Sequence, residues 1–205
     1  MVTPRALAQA VALAAVSLAS QSSGQQFARD AAALVSPPTW TNGVATGDLD
    51  ADGDEDIAFA NGSTYGPGGS EPQRLYLNDG TGVFVDASGQ LNVGNFNAQM
   101  VITEDADADG DLDLIYAPSG PFPATNQRLR ILMNDGTAHF TNESAARMPT
   151  TTVSSWCVVA ADVDNDGDRD LLTADGCIGG IGEPAQSRLF DNDGAGFYTD
   201  VTATR

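Results

Sequence analysis

Nine residues with aspartate at every odd position occur three times in this chain, always at the same spacing. The first copy is D-L-D-A-D-G-D-E-D from Asp48 to Asp56, followed by D-A-D-A-D-G-D-L-D from Asp105 to Asp113 and D-V-D-N-D-G-D-R-D from Asp162 to Asp170. Each copy begins 57 residues after the one before it. Carboxylates packed this densely repel one another unless a hard cation sits among them. A constant phase also means three copies of one supersecondary unit. The pattern therefore predicts three such units and about three bound Ca²⁺ ions, one per loop.

The chemistry of the loops narrows the choice of ion. Oxygen-only ligands at alternating positions suit an ion that takes several oxygens at flexible distances, and Gly53, Gly110 and Gly167 at the sixth position permit the sharp turn. Magnesium, with stricter octahedral geometry and tightly held waters, fits less well, and zinc lacks the His or Cys it prefers. An EF-hand would need glutamate at position twelve and flanking helices. Phe59, Tyr116 and Thr173 stand there instead, between strand-like flanks. Acid–base catalysis by paired aspartates is disfavoured because three equivalent loops do not make one asymmetric constellation. His139, the sole histidine, follows an N-D-G turn and reads as an exposed hairpin residue. No nucleophile motif, phosphate-cradling loop or cofactor fingerprint is present, so the chain is not expected to be an enzyme.

Formal net charge is −19, and all nine basic residues are arginine. That balance excludes the cationic footprint of nucleic-acid binding. Fifteen of the 28 acidic residues are the loop aspartates, so the excess is local and has a ligand-binding explanation.

Aligning the copies reveals the rest of the unit. Short apolar runs precede each loop (Gly43–Ala45, Met100–Ile102, Cys157–Val159), and others follow it (Ile57–Ala60, Leu114–Ala117, Leu171–Ala174). Continuous apolar runs of this length predict strands buried on both faces, joined as hairpins by the aspartate loops. After a variable Gly/Pro-rich connection comes a third strand that opens with Arg74, Arg130 or Arg188 and ends in N-D-G, a tight-turn signal. A fourth strand carries Phe84, Phe140 or Tyr198. This describes an all-β chain of three four-stranded antiparallel blades, a partial β-propeller with calcium-binding hairpin loops.

The repeat resembles the FG-GAP or VCBS repeat, the unit of integrin α-chain-like β-propellers in many exported microbial proteins. The resemblance covers about residues 25–205 and rests on the nonapeptide, the apolar strand after it, and the L-x-x-N-D-G-T-G-x-F pattern of Leu75 to Phe84. It implies Ca²⁺ bound between the first two strands of each blade. The implied side-chain ligands are Asp48, Asp50, Asp52 and Asp56; Asp105, Asp107, Asp109 and Asp113; and Asp162, Asp164, Asp166 and Asp170. Asp54, Asp111 and Asp168 would give their backbone carbonyls. Such rings have seven blades where this chain has three. The expectation is therefore a piece of a longer propeller, or copies that self-associate to cover the open ends.

Residues 1–19 read as a secretory signal peptide, with Arg5 in the n-region, an apolar stretch from Ala6 to Leu18 and Ser17-Leu18-Ala19 as cleavage site. Residues 20–35 form an N-terminal segment with an orphan outer strand at Phe27, and 36–91, 92–148 and 149–205 are the three blades. No transmembrane segment is expected in the mature chain, which would be secreted or at the cell surface. There a Cys157–Cys177 bridge is favoured over two buried thiols. The three blade arginines are expected to pair with carboxylates of an adjoining blade. Asn61 and Asn142 fit short glycosylation motifs.

The function expected is non-catalytic binding of an unknown protein or glycan. The ligand surface would be the second-to-third-strand connections with the inter-blade loops Asn92–Asn97 and Pro149–Ser154, where Tyr65, Phe122 and Trp40 offer apolar contact. The alternatives are a non-catalytic part of an exported hydrolase or lyase, and a structural surface-assembly protein.

Overall fold

A computed structural model describes residues 34, 37–63, 70–118, 127–176 and 186–204. All belong to one compact unit, Ala31–Arg205. The expected signal peptide, the strand at Phe27, and Tyr65, Phe122 and Cys177 lie outside the described residues.

Among the described residues, twelve strands form three four-stranded antiparallel sheets, each a meander in chain order. The first contains β1 (Thr41–Gly47), β2 (Asp56–Asn61), β3 (Arg74–Asn78) and β4 (Phe84–Asp86). The second contains β5 (Ala98–Glu104), β6 (Asp113–Pro118), β7 (Arg130–Asn134) and β8 (Phe140–Asn142). The third contains β9 (Ser155–Ala161), β10 (Asp170–Asp175), β11 (Leu189–Asn192) and β12 (Tyr198–Asp200). Each aspartate loop closes the hairpin between the first two strands, and registers such as Gly47↔Asp56, Glu104↔Asp113 and Ala161↔Asp170 start pairing at the ninth loop position. Between β8 and β9 lies one helical turn, α1 (Ser144–Arg147).

Alternation of side chains gives each sheet two faces, and the sheets stack through them, β1 against β5 and β5 against β9. One apolar core lies between the first two sheets, with Ala58, Ala60 and Leu75 against Val101, Leu114 and Leu132. A second lies between the later pair, with Ile115, Ala117 and Ile131 against Val158, Leu171 and Phe190. Fully burying a side chain of this size stabilises the fold by about 1.5–3 kcal/mol.

Burial on both faces therefore depends on having two neighbours. In the middle sheet all six residues of β6 are buried. In the third sheet β10 alternates, and Leu172 is 46% exposed. The expectation of doubly buried strands holds for the middle sheet and fails at the outer ones, where one face has no sheet against it among the described residues.

Three further expectations need correction. Arg74 and Arg188 pair with Asp86 and Asp200 at 3.3 Å, each within its own sheet, because the partner lies on the adjacent outer strand and not on another blade. Arg130 instead lies over the Phe96 ring at 4.2 Å. The inter-blade loops are not open throughout, since Phe96, Asn97, Val153 and Ser154 are buried. Backbone bridges Glu71↔Phe96 and Gln127↔Val153 use those loops to tie one sheet to the next. Asn61 is fully buried and donates to the Pro72 carbonyl, which leaves it inaccessible for glycosylation.

Candidate metal centres

The aspartate loops owe their shape to hydrogen bonds from their own backbone. In the first, Asp48 accepts from the Asp52 and Gly53 amides at 3.1 and 3.0 Å. Asp105 accepts in the same way from Asp109 and Gly110, both at 3.1 Å. The third loop is wound differently at this point, with Asp162 accepting from Asn165 at 2.7 Å. The aspartate at the fifth position accepts from the amide of the seventh in every loop, Asp52 from Asp54, Asp109 from Asp111 and Asp166 from Asp168.

Two loop positions have positive φ. Gly53, Gly110 and Gly167 were expected there and have φ of 96°, 100° and 104°. A Cβ at these glycines would meet open space, so conformation and not crowding requires glycine. The fourth position is left-handed too, with φ of 60° at Ala51, 59° at Ala108 and 64° at Asn165. Only Asn165 hints at this in the sequence, since asparagine tolerates the region and alanine does not advertise it.

The aspartate at the ninth position is a structural clasp. Asp56 accepts from the Leu49 and Asn78 amides, both at 2.8 Å. Asp113 accepts from Ala106 at 3.1 Å and Asn134 at 2.8 Å, and Asp170 from Val163 at 3.1 Å and Asn192 at 2.9 Å. One buried carboxylate thus holds the start of its loop to the N-D-G turn of the third strand. The seventh aspartate abuts that same turn. A Cβ on Gly80 would lie 2.5 Å from Asp54 Oδ2, and one on Gly136 would lie 2.6 Å from Asp111 Oδ2.

The asparagine that opens each N-D-G turn is the residue sequence reasoning undervalued. Asn134 Nδ2 donates to the Leu112 carbonyl of its own loop at 3.0 Å and to the Leu49 carbonyl of the preceding loop at 2.8 Å. Asn192 repeats this with Arg169 at 3.2 Å and Ala106 at 2.9 Å. Its recurrence at the end of every third strand is the signal for this role, although N-D-G by itself denotes only a tight turn. Arg147 gave no signal because it has no counterpart in the other repeats. Its guanidinium pairs with Asp107 at 3.2 Å and Glu143 at 2.6 Å and lies over the Phe197 ring.

Three carboxylates converge in each loop, with oxygens within 4.8 Å of one another: Asp48, Asp50 and Asp56; Asp105, Asp107 and Asp109; and Asp162, Asp164 and Asp166. The fifth position lies outside the first group, and the ninth outside the other two. Asp50 Oδ1 and Asp107 Oδ1, both at the third position, are buried without a hydrogen-bond partner, as is Asp168 Oδ1 in the third loop. Burial, then the charge of Asp52, raises the Asp50 pKa, and burial, then Asp109, does the same to Asp107. Burial lifts Asp113 to about 7 despite its two amide donors, while Asp168 rises to about 6 through burial and then its hydrogen bond with Asp166. These carboxylates disfavour one another's charge, and a hard cation reverses that effect. The donor set and the orphaned oxygens fit Ca²⁺.

His139 is exposed, with Nδ1 against Thr137, as expected of a hairpin residue. Cys157 is a free, partly buried thiol on β9.

Stacked four-stranded meanders with this hairpin loop define a β-propeller-type blade. Residues 105–173 match the family described as the FG-GAP-like repeat. The matched stretch runs from the second aspartate loop through the third, ending in β10. No curated protein matches the chain.

Proposed function

We propose that the chain is a calcium-binding, non-catalytic β-propeller-type module, exported and used to bind a protein or glycan. What carries this reading is the third loop position, where a carboxylate oxygen is buried and unpartnered in two loops and stands with two other carboxylates. Leaving a buried acceptor without a partner costs about 1–3 kcal/mol, and a hard cation offsets that cost at these sites. The three converging groups would hold one ion each, and the ninth aspartates would keep the loops closed around them.

Binding without catalysis is favoured because the acidic machinery is repeated three times and is occupied with its own backbone. The ion's part is structural: it neutralises each loop so that the hairpin and the N-D-G turn stay together. The test is a binding screen of the intact protein against glycans and cell-surface proteins, with calcium and after its removal. Saturable binding that disappears on metal removal and returns with calcium is expected. Binding indifferent to calcium, or turnover of a glycan substrate, would contradict the reading.

A further inference from the structure

The second sheet lacks the carboxylate that answers the third-strand arginine in the other two. Asp86 and Asp200 stand opposite Tyr76 and Phe190 and reach Arg74 and Arg188 diagonally, both at 3.3 Å. The same place, opposite Leu132, is held by Asn142. In every sheet one oxygen of this side chain is used locally. Asp86 Oδ1 accepts from the Ser88 hydroxyl, Asp200 Oδ1 from Thr202 and Asn142 Oδ1 from Ser144. The Ser144 bonds, from the hydroxyl at 2.6 Å and the amide at 3.2 Å, fix which way the Asn142 amide is turned. Its Nδ2 therefore stands where the other sheets have the oxygen that pairs with arginine, so a donor replaces an acceptor.

Arg130 is left with positive charge and no anion. Its guanidinium lies over the Phe96 ring, and among the described residues no carboxylate pairs with it. Burial lowers its pKa with no charge to oppose the shift. The connection at 119–126 contains no acidic residue either. Arg128 stands two residues away, where the other repeats have Pro72 and Gln186, and it donates to the Ser144 carbonyl at 3.2 Å. Both arginines line a cavity of about 450 Å³ together with Gln127, Asn142 and Thr152, and no acidic residue is in its wall. Arg130 opens β7 and Asn134 ends it beside the aspartate loop, so the cavity lies about 13 Å along the strand from that loop.

We propose that this cavity binds the carboxylate of a sugar acid, with Arg128, Arg130 and Asn142 Nδ2 donating to it. This names a ligand for the glycan-binding reading above and rests on that reading, but not on metal in the aspartate loops. A ring beneath the face of Arg130 leaves the N–H edge of its planar fork for a carboxylate, which it matches in shape. Gln127 and Thr152 offer neutral polar groups of the kind that meet sugar hydroxyls. The apolar lining is Leu129, which is fully buried, and Ala145, so there is no anchor pocket for a peptide side chain. A net charge of −19 repels polyanions at long range, which favours a single carboxylate on an otherwise neutral ligand.

The test titrates the whole chain in calcium with a disaccharide carrying one glucuronic acid, followed by calorimetry. Its neutral methyl ester and a capped peptide carrying one glutamate are titrated beside it. Saturable binding of the acid is expected, with at least a tenfold loss for the ester and for Arg128→Gln and Arg130→Gln. Asn142→Asp installs the residue that the first and third sheets carry, so it should stay folded while losing binding at least tenfold. No binding of the acid, equal binding of the ester, or an Asn142→Asp variant that binds like wild type would each overturn the proposal. Tighter binding of the peptide than of the sugar acid would overturn it too. A ligand found by the wider screen that Asn142→Asp leaves unaffected sinks this site and keeps the binding reading. Uronate binding that survives calcium removal keeps this site and sinks only the calcium dependence.

Discussion

Asn134 Nδ2 donates 2.8 Å to the carbonyl of Leu49, a residue of the preceding blade's aspartate loop. Aspartate loop, N-D-G turn and blade stacking are therefore one connected device. Asn134→Ala leaves the Leu49 and Leu112 carbonyls without this donor in a buried setting, and a loss of about 2 kcal/mol is expected. Asn78→Ala removes only exposed contacts, a long donation to Glu55 and acceptance from the Gly80 and Gly82 amides at 3.2 and 3.3 Å, and should cost less. Urea denaturation of the two variants side by side checks the order, and equal losses would deny the inter-blade contact its role.

Asp50 offers a sign reversal. Burial and the charges of Asp52 and Asp48 make its ionised form unfavourable without metal. Asp50→Asn should raise the melting temperature of metal-stripped protein at pH 8 and lower it in saturating calcium. Thermal melts in both conditions read this directly; a variant that is destabilised equally in both has lost only packing.

The turn glycines should be sensitive for a different reason. Gly136 has φ of 76°, and its absent Cβ would sit 2.6 Å from Asp111 Oδ2. Gly136→Ala should destabilise by about 1–3 kcal/mol from strain and displacement of that carboxylate. Gly89, whose Cβ would meet open space, serves as the control and should tolerate alanine.

The metal-stripped protein should also lose stability as pH rises. Burial lifts the Asp113 carboxyl from its ordinary 3.8 to about 7 in the folded state. Between those values the folded chain holds the proton and the unfolded chain does not, so stability falls with rising pH and levels off above about 7. Asp79 and Asp135, lowered by hydrogen bonds from Thr81 and Thr137, act below that window. Scanning calorimetry on stripped protein from pH 5 to 8 should show a falling melting temperature, and calcium should flatten or invert the trend.

The blade was legible in the sequence because its signals are local and repeated. Apolar runs around each nonapeptide mark β1, β2 and their equivalents, and N-D-G marks the turn between third and fourth strands. What was not legible depends on contacts distant in sequence. The arginines were assigned to a neighbouring blade because spacing does not reveal that Asp86 lies beside Arg74 on the adjacent strand. The clasp role of Asp113 was hidden for a similar reason: in the sequence it looks like any other aspartate of its loop, and only folding brings it to the Asn134 amide. Exposure of Leu172 and Val159 could not be read from their hydrophobicity, because it depends on which sheet has a neighbour.

Calorimetric titration of the metal-stripped protein with calcium tests the central claim most directly. The account predicts saturable uptake of about three ions per chain, with the melting temperature rising in step and about 2.7 kcal/mol gained per site at a hundredfold excess over its dissociation constant. No saturable uptake, together with a melt unchanged by calcium, would contradict it.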